Sequence, residues 1–166
     1  MGARKLLPLL LAAVVVVFTA RYLFWNDARD VRRRLDAMAD AASLGADDSP
    51  VLSPSKAAQL AGFITDDVII RTDPASFTGG RRAVVRLVAD AAAARRTMRV
   101  TLDDVQVELI DRVTATAFCT LKISGGGPAA DDPAPRQVHA TLVKQNGEWL
   151  LMRGEVLRVL DAVSSP

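Results

Sequence analysis

His139 is the only histidine in this chain and Cys119 the only cysteine. A single imidazole rules out the His-x-x-x-His zinc helix and any site built on several histidines. A single thiol rules out an internal disulfide and a thiolate metal cluster, so Cys119 reads as a small buried hydrophobe. No metal and no cofactor is expected. Arg153 and Glu155 follow Trp149 at alternating strand positions, where two charges beside an aromatic ring suit recognition of a polar ligand or pair with each other. Phe63, Phe77 and Phe118 read with Trp149 as core aromatics or as the lining of a pocket. Asp73 precedes Pro74, a pairing typical of a turn.

The charges nearly cancel, at 21 basic against 19 acidic residues in 166. So balanced a chain has little long-range field to gather polyanions. Aromatic residues do not interleave with Lys or Arg, so the stacking platforms of single-strand binders are missing as well. No nucleic-acid partner is expected. The length leaves room for one core once an N-terminal segment is set aside.

That segment opens with Arg4 and Lys5 and runs uncharged from Leu6 to Ala20; Arg21 then separates it from Tyr22, Leu23, Phe24 and Trp25. As a secretory signal it fails at Phe18, three residues before a cut after Ala20, where a small side chain is wanted. As a membrane helix, residues 6–25 supply about the 20 residues a bilayer core requires. Arg21 would snorkel, with Tyr22 and Trp25 at the interface and Leu6, Leu9, Val16 and Leu23 facing lipid or other membrane helices. The expected layout is an anchor at 1–25, a domain at 26–160 and a tail at 161–166. Arg29, Arg32, Arg33 and Arg34 outnumber the basic residues before the anchor and favour a cytoplasmic domain. The short basic N-terminus favours export, and a single-pass protein with a periplasmic domain is the expectation carried forward.

After the anchor, Val31, Leu35, Met38 and Ala42 recur at helical spacing up to Gly45. Pro50, Ser53 and Pro54 mark a loop, and Ser55 is placed to cap a short helix carrying Ala58, Leu60, Ala61 and Phe63. A strand is expected over Asp67–Arg71. A third helix is expected from Gly80 to about Arg95, with Val84, Leu87, Val88 and Ala91 on one face. Four antiparallel strands then follow, near 98–110, 113–124, 136–145 and 148–159. Asn146-Gly147 reads as a type I′ turn. Unbroken alternation from that turn places Val138, Ala140 and Leu142 on one face with Trp149, Leu151, Arg153 and Glu155, and His139, Thr141 and Val143 on the other.

Two helices, a strand ending near Asp-Pro, a helix opened by Gly79-Gly80-Arg81 and a meander closing on Gly147-Glu148-Trp149-Leu150-Leu151 resemble the nuclear transport factor 2-like superfamily. Phe63-Ile64-Thr65-Asp66-Asp67-Val68 carries part of the likeness, which covers about Asp27 to Leu160. The resemblance implies an α+β fold in which three helices pack against a curved, mainly antiparallel, cone-shaped sheet. It also implies an apolar pocket and, in many members, dimerisation through the sheet. The superfamily includes ketosteroid isomerases, polyketide cyclases, dehydratases and non-catalytic assembly proteins.

Carried over from ketosteroid isomerase, the resemblance makes Asp73 the base, one residue out of step with the family's segment. It finds no oxyanion tyrosine in the domain, since Tyr22 is the only tyrosine. His139 lies where an acid or orienting group would be sought. Half of that machinery is missing. The expected function is therefore a membrane-tethered, non-catalytic binding or accessory subunit, with a protein partner or second copy on a sheet face, or an apolar ligand. The alternative is an isomerase or hydratase acting on a hydrophobic small molecule.

Overall fold

The computed structural model describes residues 26–45, 53–72, 77–94, 97–126 and 134–159, with backbone alone at 77, 78, 158 and 159. The anchor positions Leu6, Leu9, Val16, Tyr22, Leu23 and Trp25, and also Asp73, lie outside these residues. Among the described residues no helix is long and apolar enough to cross a membrane.

Helix α1 spans residues 26–42 and buries Val31, Leu35 and Ala42 of the stripe that the spacing predicts, while Met38 is half-buried against the core and Ala39 beside it is buried. Helix α2 is Pro54–Ala61. Its cap is Ser53 rather than Ser55: the Ser53 hydroxyl accepts from the Lys56 amide, and Pro54 takes the first helical position, where no amide hydrogen is needed. Gly62 ends the helix, so Phe63 falls outside it. Helix α3 is Arg81–Ala93. Val84 and Ala92 are buried, and Val85, Val88 and Ala89 pack against the core. Leu87, expected to face inward, is 42 % exposed because the buried stripe runs one position round the helix.

The strands are β1 (Ile64–Arg71), β2 (Phe77–Gly79), β3 (Arg99–Leu109), β4 (Thr114–Ser124), β5 (Arg136–Gln145) and β6 (Glu148–Val159). Strand β2 was not expected, and β1 starts three residues earlier than its β-branched run indicates. Sheet order is β2-β1-β6-β5-β4-β3, with the β1–β6 pair parallel and the others antiparallel. Asn146 and Gly147 have φ of 52° and 85°, as a type I′ hairpin requires. The β3–β4 turn is pinned by the Val113 amide, which donates to Asp111 Oδ1 at 2.7 Å and holds that carboxyl below its ordinary range.

Ala115, Ala117, Cys119, Ala140, Leu142, Trp149 and Leu151 are buried on one face of the sheet with Val31, Leu35, Ile64 and Val68. That face is the helix side. Burial there pushes the Cys119 thiol up to about 11, because the thiolate would lose its hydration.

Candidate functional site

Three irregularities decide which face each chemical group occupies. Pairing between β5 and β6 shifts between Thr141 and Leu142 and again between Gln137 and Val138. Pairing between β3 and β4 shifts between Asp103 and Gln106, around Asp104 with its φ of 53°. Each shift inserts an extra residue, and alternation restarts in the opposite phase beyond it.

The first shift corrects the face assigned to Arg153 and Glu155. Leu151 still pairs with Leu142, but Arg153 pairs with Thr141 and Glu155 with His139. Both charges therefore lie on the outer face, away from Trp149. Gly154 takes the helix side, where a Cβ would come within 2.9 Å of Ile70 Cδ1. An isolated glycine in a strand is the sequence signal of such a bulge.

Successive pairings then build one outer-face row across five strands: Gln106, Phe118, His139, Glu155 and Arg71. The Phe118 and His139 rings stack 4.4 Å apart at 12°. Phe118 is 44 % exposed. Glu155 Oε1 lies 3.8 Å from Arg153 Nη1 and 4.0 Å from Arg71 Nε, so one carboxylate is shared between two guanidinium groups. Beside the row, a depression of about 350 Å³ is lined by Gln106, Phe118, Thr120, Gln137 and Leu157. Gln106 and Arg71 were not singled out from the sequence, since only the register across strands connects them to Phe118 and His139.

The interior holds Phe63 and Trp149. Arg34 reaches in from α1, with its guanidinium 4.4 Å above the Phe63 ring. Arg34 also donates to the carbonyl oxygens of Trp149 at 3.0 Å and Gly62 at 2.8 Å, and to Glu148 Oε2 at 2.8 Å. Lys144 lies 5.4 Å from the Trp149 ring and pairs with Asp27 at 2.6 Å. Thr65 Oγ1 and Trp149 Nε1 are buried without a hydrogen-bond partner.

The expected pocket residues are thus divided by the sheet. Phe63 and Trp149 face the helices, while Phe118, Arg153, Glu155 and His139 face out, and the Phe77 side chain is not described. Among the described residues, no group of three or more histidine, cysteine or carboxylate side chains could hold a metal.

No protein-family model and no curated protein sequence matches this chain. Solved structures do. A nuclear transport factor 2-like protein with a cystatin-like fold from Novosphingobium aromaticivorans superposes with a TM-score of 0.67 at 19% identity, covering 89% of this chain and 90% of its own. A proposed scytalone dehydratase from the same organism gives 0.68 at 13% identity, over 88% and 99% of the two chains. A proposed dehydratase of the nuclear transport factor 2-like family from Streptomyces avermitilis gives 0.64 at 19%, over 81% and 97%. The chain has the nuclear transport factor 2-like fold. At these identities the likeness extends to the fold alone, which hosts unrelated functions.

Proposed function

We propose that this chain is a non-catalytic binding or accessory module, tethered to a membrane through residues 6–25, that engages a protein partner through the outer face of its sheet. The observation that carries this reading is the placement of its only histidine. His139 stacks on an exposed phenylalanine on the outer face, separated by the sheet from the interior where a small substrate would be enclosed. Interior positions of β4 and β5 are Ala115, Ala117, Cys119, Ala140 and Leu142, none of which moves protons near neutral pH. The outer row instead combines an exposed aromatic ring with arginine, residue types that protein interfaces favour.

The row also suits a second copy of the chain. Glu108, Thr116, Thr141 and Arg153 form the next row, acidic at one end and basic at the other. A two-fold axis along the strands would bring the Glu108 of each copy to the Arg153 of the other. The test is a photo-crosslinking side chain at position 118 in the full chain in native membranes, with position 67 as an exposed control. A specific adduct at 118 and none at 67 is expected. No adduct at 118, together with an apolar compound extracted from the purified chain, would overturn the reading.

A second reading is a dehydratase or isomerase for a hydrophobic small molecule. It is favoured by the two dehydratase descriptions among the structural neighbours and by the unpartnered Thr65 hydroxyl and Trp149 indole, which could meet a ligand's polar atom. With His139 on the outer face, it leaves Asp73 as the candidate base, so it requires Asp73→Asn to abolish turnover and His139→Ala to spare it.

A further inference from the structure

We infer that the outward face of α1 is a binding surface for the phosphate groups of anionic phospholipids. A cleft of about 320 Å³ is lined there by Asn26, Arg29, Arg32, Arg33 and Asp36. All five residues are exposed, and the cleft lies on the opposite side of α1 from the buried Val31 and Leu35. Guanidinium groups present planar forks of donors that match phosphate oxygens.

Neighbouring groups keep this face basic. Asp27 is neutralised by Lys144 from the sheet, at 2.6 Å. Arg34 turns inward to Glu148 and the Trp149 carbonyl and takes no part. Arg33 pairs with Asp30 and keeps 77% of its side-chain surface exposed. Arg32 makes no ion pair with any described residue. Arg29, Arg32 and Arg33 stand on the face together with Asp30 and Asp36, and Asp36 lies at the end away from the apolar run.

The occupant follows from where this face begins. The uncharged run Leu6–Ala20 and the sequence Tyr22-Leu23-Phe24-Trp25 end one residue before the cleft. A helix rises about 1.5 Å per residue, so positions 29 to 33 lie about 4 to 11 Å along α1 from residue 26. A headgroup layer extends about 5 to 8 Å beyond the hydrocarbon on each side of a bilayer. Arginine side chains that reach back by several ångströms meet the phosphates at that depth. Basic groups beside a membrane segment draw anionic lipid in this way. The inference rests on residues 6–25 being membrane-inserted.

The experiment reconstitutes the full chain into bilayers of equal phosphatidylglycerol and phosphatidylcholine, then measures by native mass spectrometry which lipid is retained. The wild-type chain retains phosphatidylglycerol preferentially. Arg32→Gln lowers the preference by about fivefold at low salt, and Asp36→Asn raises it, with unchanged melting in both. Opposite signs from two exposed neighbours separate charge recognition from loss of structure. Millimolar inorganic phosphate leaves the preference unchanged; if it abolishes it, the cleft binds free phosphate and the lipid assignment is overturned. A chain that resists alkaline carbonate extraction yet shows no preference, or one that neither variant alters, overturns the cleft while sparing the anchor. A chain released by carbonate that still floats with phosphatidylglycerol vesicles, and not with phosphatidylcholine, overturns the anchor while upholding the cleft.

Discussion

Arg34 is the side chain that ties α1 to both α2 and the sheet. Its guanidinium joins α1 to the end of α2 through the Gly62 carbonyl and to the start of β6 through the Trp149 carbonyl, while lying over the Phe63 ring. A hydrogen bond from a charged donor contributes about 1.5 kcal/mol or more, and two of these give about 3 kcal/mol. The contact over Phe63 adds about 0.5 to 1 kcal/mol. The ion pair to Glu148 adds only a few tenths, about what an exposed pair contributes, since Glu148 is 64% exposed. Arg34→Ala should therefore cost about 4 kcal/mol, which lowers the melting temperature by about 10 to 15 °C for a domain of this size. Arg34→Lys keeps a charge but loses the fork that reaches several acceptors at once, and should fall between. Thermal unfolding of the full chain in neutral detergent, followed by circular dichroism, measures this against Arg32→Ala, an exposed neighbour expected to shift melting by no more than about 2 °C. Equal shifts for the two alanine variants would refute the claim that Arg34 joins helix to sheet.

The buried Thr65 hydroxyl has no partner, so Thr65→Val should raise the denaturant midpoint by about 1 kcal/mol of stability with an unchanged slope. Cys119 should react slowly with iodoacetamide in the folded chain, at a rate that rises about tenfold per pH unit from pH 8 to about pH 11. Because the folded thiol holds its proton more tightly than the unfolded one, Cys119 withdraws stability as pH rises above about 9; Cys119→Ala should flatten that alkaline loss in denaturation titrations. Gly125→Ala should destabilise far more than Gly147→Ala, since a Cβ at 125 would fall 2.0 Å from the Thr97 carbonyl oxygen while one at 147 meets open space. At 147 only the positive φ is penalised, by about 1 kcal/mol, and paired melting curves separate the two costs.

Elements governed by local rules were legible in the sequence. Most of the α1 stripe, the Asn146-Gly147 turn and the four long strands follow from periodicity and turn chemistry, and the strands' expected bounds lie within a residue of those observed, while α1 ends three residues before Gly45. Contacts distant in sequence were not legible. Strand β2 has three residues, too few to show alternation, and exists because β1 offers it an edge. Arg34 reads as one of four clustered surface arginines, and only the fold brings residues 62 and 149 to it. Ser55 and Ser53 are equally good caps by type, and Pro54 between them selects Ser53 by taking the first helical position.

The bulge near Met152 matters more than any of these, because it changes the kind of chemistry each face can perform. With unbroken alternation, Arg153 and Glu155 would stand in the interior beside Trp149, and a charged pair there would make a polar ligand site plausible. One extra residue turns both outward and puts Gly154 against Ile70. Burying that pair would have required stripping two charges of water, at several kcal/mol per ion before any compensation. Turned outward, the same residues keep partial hydration, share a carboxylate with Arg71 and stand beside the His139 and Phe118 rings. A deletion of Met152 tests the argument. It removes the extra residue while leaving Arg153 opposite Thr141 and Glu155 opposite His139, so both charges stay outside and the variant should still fold. Replacing Met152 with another residue leaves the bulge in place and should change little. Unfolding of the deletion variant would mean that the bulge is needed for the curvature of the sheet rather than for keeping the charges outside.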